Sequence, residues 1–409
     1  MAAKQLTGRD QRRSAAAEAV LETCARAAVA GVLVLASTRL SPVEIGAASL
    51  AGSVVTLAAG FVMAGWSYRL QADARHPVSS RSAGGQMLTA YLVAVPLCIL
   101  LTMLLAGWDD SVVWACLAVL APVPLLLASA DIVWGWAGRA GLSPQLAMTR
   151  LVAGASGLVV GVGVFIAWPS ALSQVLVQTA LWGAVVVGSL FFLLARAKAS
   201  PALRIPRVRD FAPRPLSGAS WTIVAGNTVA TLTFVLDNFI LARLSGLADL
   251  AAYSIAFGAM SFAVGVVGST GQRMRAVARP DERSAYVYSW LPPLAALGLA
   301  VCAALALWGA GSWFGVPLLD RAARVSLLLL PYAAGRTRLL ITYVVIGRLH
   351  RPADILRISI LQSIVLAVLA APLALALGPE GVAVAASAAV WVAALLADHR
   401  VRSSARTKT

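Results

Sequence analysis

Twelve apolar stretches follow one another along the 409 residues, and the segments between them alternate between basic and nearly uncharged. They run Glu22–Ser37, Ile45–Trp66, Gln86–Ala106, Val112–Trp136, Leu146–Ala167, Gln174–Ala195, Ala219–Ala242, Asp249–Thr270, Val287–Trp308, Ala322–Ile346, Ile355–Ala376 and Gly381–Ala397. A hydrocarbon core of ~30 Å is crossed by about 20 residues of helix rising ~1.5 Å each. Soluble domains carry roughly 25% charged residues; here 12% are charged and 60% hydrophobic, too little polar surface for a soluble globule. Lipid offers the backbone no hydrogen-bond partner, so spans of this length must be helices. The expected fold is an all-α polytopic membrane protein of about twelve transmembrane helices.

Lys and Arg between the spans fix the orientation. Twenty-four fall on the side of the N-terminal tail and only Arg39, Arg243 and Arg321 on the other. Strict alternation of this kind requires an even number of spans with both termini in the cytoplasm. Trp66, Trp108, Trp136, Trp168 and Trp308 stand near span ends, where an interfacial aromatic belt belongs. The net charge of +16 is thus spent on topology, and its scatter between spans argues against a nucleic-acid partner. Cys24, Cys98, Cys116 and Cys302 lie inside apolar spans without CxxC spacing, and the three histidines lie in connections. Neither pattern suits a disulfide framework or a metal site. Glu18, Glu22 and Arg26 interrupt any signal-like core after Arg12-Arg13, so the first helix is expected to be retained.

The longest cytoplasmic connection carries Pro201, Pro206, Pro213 and Pro215 among six basic residues. It predicts a cytoplasmic tail at 1–21, an N-lobe at 22–195, a linker at 196–218, a C-lobe at 219–397 and a basic tail at 398–409. An internal repeat supports two halves. Thr38–Ala51 matches Ala242–Ala256 with one residue inserted: Arg39-Leu40-Ser41 pairs with Arg243-Leu244-Ser245, and Glu44 with Asp249. Each half has an even number of spans, so the repeats are parallel, an arrangement that places a substrate path between bundles.

The turn Arg39-Leu40-Ser41-Pro42-Val43-Glu44-Ile45-Gly46 resembles the oligosaccharide flippases of the multidrug/oligosaccharidyl-lipid/polysaccharide exporter superfamily. So does Leu236–Gly246 followed by Ala252-Tyr253-Ser254, although Ala47-Ala48 stands where that family often has Leu-Tyr. The resemblance implies two parallel six-helix lobes of MATE-like form that alternate between inward-open and outward-open states. It also implies a cargo, a polyprenyl-diphosphate-linked glycan moved to the periplasmic leaflet of the inner membrane for surface polysaccharide or cell-envelope synthesis. The implied partners are membrane lipids, H+ or Na+ as coupling ion, and a glycosyltransferase or polymerase of the same pathway. No cofactor is implied.

Embedded ionisable groups are costly, about 2.5–3.5 kcal/mol on insertion scales, and mark function or a buried partner. Arg336 and Arg338 lie deep in the tenth span, two residues and about 200° apart, so they cannot face one cavity alike. Arg336 is the favoured group for a crossing diphosphate; pairing of either arginine with Asp237 or Asp131 is the competing reading. Arg26 and Arg150, each within about one turn of the cytoplasmic ends of spans 1 and 5, are candidates for an entry site, with snorkelling as the alternative. Family first-helix arginines often line the inward cavity, which favours Arg26. Asn227, with Gln174 and Gln178, offers hydrogen bonds to sugar or to neighbouring helices. Asp237 and Asp131 are candidates for coupling or gating; for Asp237 the alternative is an ion pair with Arg39, Arg243 or Arg324.

No Walker A, HExxH or GxSxG motif occurs, so no enzyme activity is expected. Two further readings stand beside the flippase: a cation-coupled drug or metabolite antiporter of the same fold, and a non-transporting membrane scaffold.

Overall fold

The computed structural model describes residues 8–63, 80–108, 110–139, 142–197, 218–277, 290–348 and 352–406. Among them are fourteen helices: α1 Gly8–Ser37, α2 Pro42–Met63, α3 Ser80–Ala106, α4 Ser111–Leu120, α5 Val123–Arg139, α6 Ser143–Ala167, α7 Ala171–Ala197, α8 Gly218–Leu244, α9 Leu247–Val277, α10 Leu291–Phe314, α11 Pro317–Leu328, α12 Leu330–Arg348, α13 Pro352–Leu377 and α14 Pro379–Arg406. Ten stretches are long and apolar enough to cross a membrane, α4 and α5 counting as one. Two of the twelve expected spans are not among these ten: the apolar part of α1, Thr23–Ser37, is shorter, and the helix α12 of the tenth span carries Arg336 and Arg338.

Helix α1 begins 14 residues before the expected first span and α14 ends 9 residues after the expected last one, and two further differences have a local physical cause. The ninth span, α10, continues past Trp308 to Phe314, where Gly315 stops it in the left-handed region at φ 63°, a conformation costly for any residue with a Cβ. The fourth and tenth spans are each broken into two helices, at Ala121-Pro122 and at Leu329. Pro122, Pro124 and Pro331 each lack the amide that an unbroken ladder requires. Side chains cover exposed carbonyls at both breaks. Thr179 of α7 donates to the Val119 carbonyl (3.0 Å) and Tyr91 of α3 to that of Ala121 (3.0 Å). Ser387 of α14 donates to the Leu328 carbonyl (2.9 Å), and the Trp391 indole to that of Pro331 (2.9 Å).

Contacts between residues divide the chain into two units, Met1–Ala25 with Ala51–Thr231, and Arg26–Leu50 with Leu232–Thr409. In the first, α6 and α7 pack through small residues: a Cβ on Gly157 would lie 2.5 Å from the Ala180 carbonyl, and one on Gly161 2.8 Å from Val177 Cα. The glycine face of α6 is therefore a packing face. In the second unit the start of α2 lies so close to the start of α9 that a Cβ on Gly46 would collide with the Leu247 carbonyl. The two matching turns of the internal repeat thus meet. Glu44 closes a capping box with Ser41, accepting from its amide at 2.9 Å. Its repeat partner Asp249 instead binds Arg321 (2.6 Å), which also reaches Glu380 (3.5 Å). Burial works against the Arg321 charge, but the two carboxylates outweigh it and its pKa is raised.

Candidate functional site

The second unit gathers polar and aromatic side chains from four spans. Helix α9 carries Tyr253, Phe257, Ser261 and Gly265 at steps of four, which puts them on one stripe. Helix α8 contributes Phe234 and Asp237, a turn apart; α12 contributes Tyr332 and Arg336, also a turn apart; α1 contributes Arg26. Phe257 is the hub. It stacks on Tyr253 (5.8 Å between centroids), meets Phe234 edge-on (5.2 Å) and lies against Tyr332 (5.4 Å).

Arg336 lies about 18 Å from the end of α12 at Arg348, half-way across a bilayer. Its guanidinium sits 5.4 Å from the centre of the Phe234 ring, a cation–π contact. Among the described residues no carboxylate lies within ion-pair distance of it. Arg26, expected within about one turn of the cytoplasmic end of the first span, stands three residues inside the apolar part of α1, Thr23–Ser37, about 16 Å from its Ser37 end. Arg26 donates to the Ser261 carbonyl (3.4 Å), and its stem passes over Gly265, where any Cβ would overlap it.

Asp237 is 3% exposed. The Tyr253 hydroxyl donates to its Oδ2 and the Asn238 amide to its Oδ1 (2.9 Å). No arginine of the described residues pairs with it, so the ion pair with Arg39, Arg243 or Arg324 is replaced by a tyrosine clamp. Beyond Arg336 along α12, Tyr343 exchanges a hydrogen bond with Ser359 (3.2 Å), and Thr233 with Ser363 (2.6 Å). Cations, ring faces and hydroxyls therefore line one region within this unit, a combination able to hold an anionic, polyhydroxylated group in apolar surroundings.

The remaining residues singled out from sequence lie elsewhere. Arg338 is 2% exposed and locked to Asp398 (2.8 Å), which also accepts from Thr342 (2.9 Å). The partner is neither Asp237 nor Asp131. Its other face lies over the Trp290 ring (5.4 Å). Arg150, in the first unit, is 8% exposed, with its guanidinium 5.1 Å from the centre of the Trp134 ring. Asp131 is half-buried on α5 of the same unit, and Gln174 is buried at the start of α7. The Asn227 side chain falls outside the described residues. Sequence reasoning missed the aromatic hub, although the four-residue steps on α9 would have revealed it.

Comparison with solved structures identifies the architecture. A lipid II flippase MurJ in an inward-closed conformation superposes with a TM-score of 0.67 at 10% identity, over 94% of this chain and 87% of that one. A MOP superfamily transporter from Pyrococcus furiosus, described as having a binding pocket of reversed polarity, gives 0.60 at 14% identity over 98% and 97%. An inward-facing MATE family multidrug resistance transporter gives 0.57 at 17% identity over 97% and 99%. The chain has the MATE-like fold. No family model matches the sequence, and no curated protein does. The MATE-like neighbours are transporters and flippases, and none is described as an enzyme.

Proposed function

We propose that this chain is a flippase that moves a polyprenyl-diphosphate-linked oligosaccharide from the cytoplasmic to the periplasmic leaflet by alternating access. It would serve surface polysaccharide or cell-envelope synthesis from the cytoplasmic membrane, with both termini inside and the lobes 22–195 and 219–397 as its moving parts. The observation that carries this reading is Arg336 half-way along its span, packed on the Phe234 ring with no carboxylate at ion-pair distance among the described residues, while Arg26 of the same unit lies across Ser261 and Gly265 on the stripe that carries Phe257. A planar guanidinium offers paired donors to a phosphate and keeps its charge at any physiological pH. Ring faces and the hydroxyls of Tyr343, Ser359 and Ser363 suit the sugar that follows. Hydrogen bonds to charged groups contribute about 1.5–3 kcal/mol each, roughly ten- to hundredfold in affinity. Arg336→Ala and Arg26→Ala are therefore each expected to cut export of the lipid-linked glycan at least about tenfold at normal protein levels. Lipid-linked sugar should accumulate on the cytoplasmic side; wild-type export by both variants would reject the reading.

The buried Asp237–Tyr253 pair favours a second reading, cation-coupled antiport of an organic cation. A neutral amide in place of the carboxylate separates the two. Under antiport, Asp237→Asn abolishes transport driven by a proton or sodium gradient, and Arg336→Ala, which removes a cation from the site, does not impair it.

A further inference from the structure

We propose that a cavity in the first unit, beside the break in the fourth span, binds an acyl chain of a membrane phospholipid. The cavity encloses about 260 Å³ between α2, α3 and α4. Its floor is Val55, Ala58, Ala94 and Leu117, all buried. Three polar side chains reach its wall, and each is spent on a backbone carbonyl. Tyr91 donates to Ala121 (3.0 Å), the Trp114 indole to Gly107 (3.0 Å) and the Cys98 thiol to Val54 (3.9 Å). Water needs two to four polar partners to occupy a buried site, and this one offers it none. No charged residue lines it, so a headgroup, a metabolite or an ion has no counterpart either.

The mouth shows where the occupant comes from. Val95 and Ile99 of α3, 37% and 40% exposed, line the opening. On the same helix Leu92, Leu97, Leu100 and Leu104 are exposed as well, and α3 is one of the spans apolar enough to cross the membrane. The cavity is therefore continuous with a bilayer-facing surface and sits around the middle of α2 and α3, at the depth of lipid tails. One water needs only about 10–15 Å³ of such space, so the cavity has room for a run of methylenes. A chain there lies against Leu117–Ala121, the last turn before Pro122, and replaces the packing that α3 does not supply to α4.

Photolabelling tests this independently of transport. The purified protein is placed in bilayer discs containing phosphatidylethanolamine with a mid-chain diazirine, and adducts are mapped by mass spectrometry. Labelling is expected in the segments 91–99 and 114–121, and Ala118→Trp, at an exposed rim position, should lower it about tenfold while adducts at Leu104 persist. Ile99→Trp, on the opposite rim, should do the same. Unchanged labelling in both plugged variants overturns the proposal, as does preferential labelling by a diazirine polyprenyl phosphate at equal mole fraction. Arg336→Ala should label like wild type, so failure of the flippase reading leaves this outcome readable.

Discussion

Two arginines two positions apart have opposite fates. A step of about 200° around α12 turns Arg338 to Asp398 and Thr342, and Arg336 to the Phe234 ring. Removing one partner of a buried ion pair leaves the other uncompensated, at about 3–5 kcal/mol. Arg338→Ala is thus expected to lower stability by about that amount, read from thermal or denaturant unfolding in detergent. Arg336→Ala should unfold with wild type and lose transport only; equal destabilisation by both would contradict the split. Periodicity made the divergence legible in the sequence. The partner was not legible, because Asp398 lies on α14 and only the packing of that helix on α12 brings it near. Asp237 teaches the same lesson: a buried carboxylate calls for a donor, and the sequence offers only arginines as candidate ion-pair partners, whereas the donor is a tyrosine one helix on.

At the scale of elements, the two broken spans are related. Pro122 and Pro331, the covered carbonyls of Val119 and Leu328, and the hydroxyls of Thr179 and Ser387 are each separated by the same step along the chain, to within one residue. The same step links Gly107 with Gly315, two left-handed helix ends that precede the breaks. The repeat that the sequence showed at one pair of turns therefore extends into backbone geometry. It was hidden because a threonine, a serine and single prolines carry little similarity in Ala/Leu-rich helices. A buried hydroxyl-to-carbonyl bond contributes about 1 kcal/mol. Thr179→Val and Ser387→Ala are each expected to lose about that much stability and to speed amide hydrogen exchange around residues 119–126 and 328–333. Exchange that is unchanged in both would show that the breaks are held by proline alone.

At the scale of the molecule, direction of transport rests on topology, and topology rests on 24 basic residues against three. The hydropathy pattern delivered the spans because length and apolarity are local properties, whereas the aromatic hub required knowing which helices touch. Charge bias is likewise local, and it binds every connection at once: shifting one span would move basic segments onto both sides. Cysteine substitution on intact cells checks it, in a background lacking Cys24, Cys98, Cys116 and Cys302. Thr38→Cys and Ser111→Cys, both exposed at turns on the sparsely charged side, should react with a membrane-impermeant maleimide. His399→Cys and Ser403→Cys, exposed at the end of α14, should react only after permeabilisation. Labelling of the α14 positions on intact cells would put the basic face outside. Arg26 and Arg336 would still belong to one unit, but a diphosphate supplied from the cytoplasm would then approach from the poorly basic side, and export could no longer be the direction that the charge distribution favours.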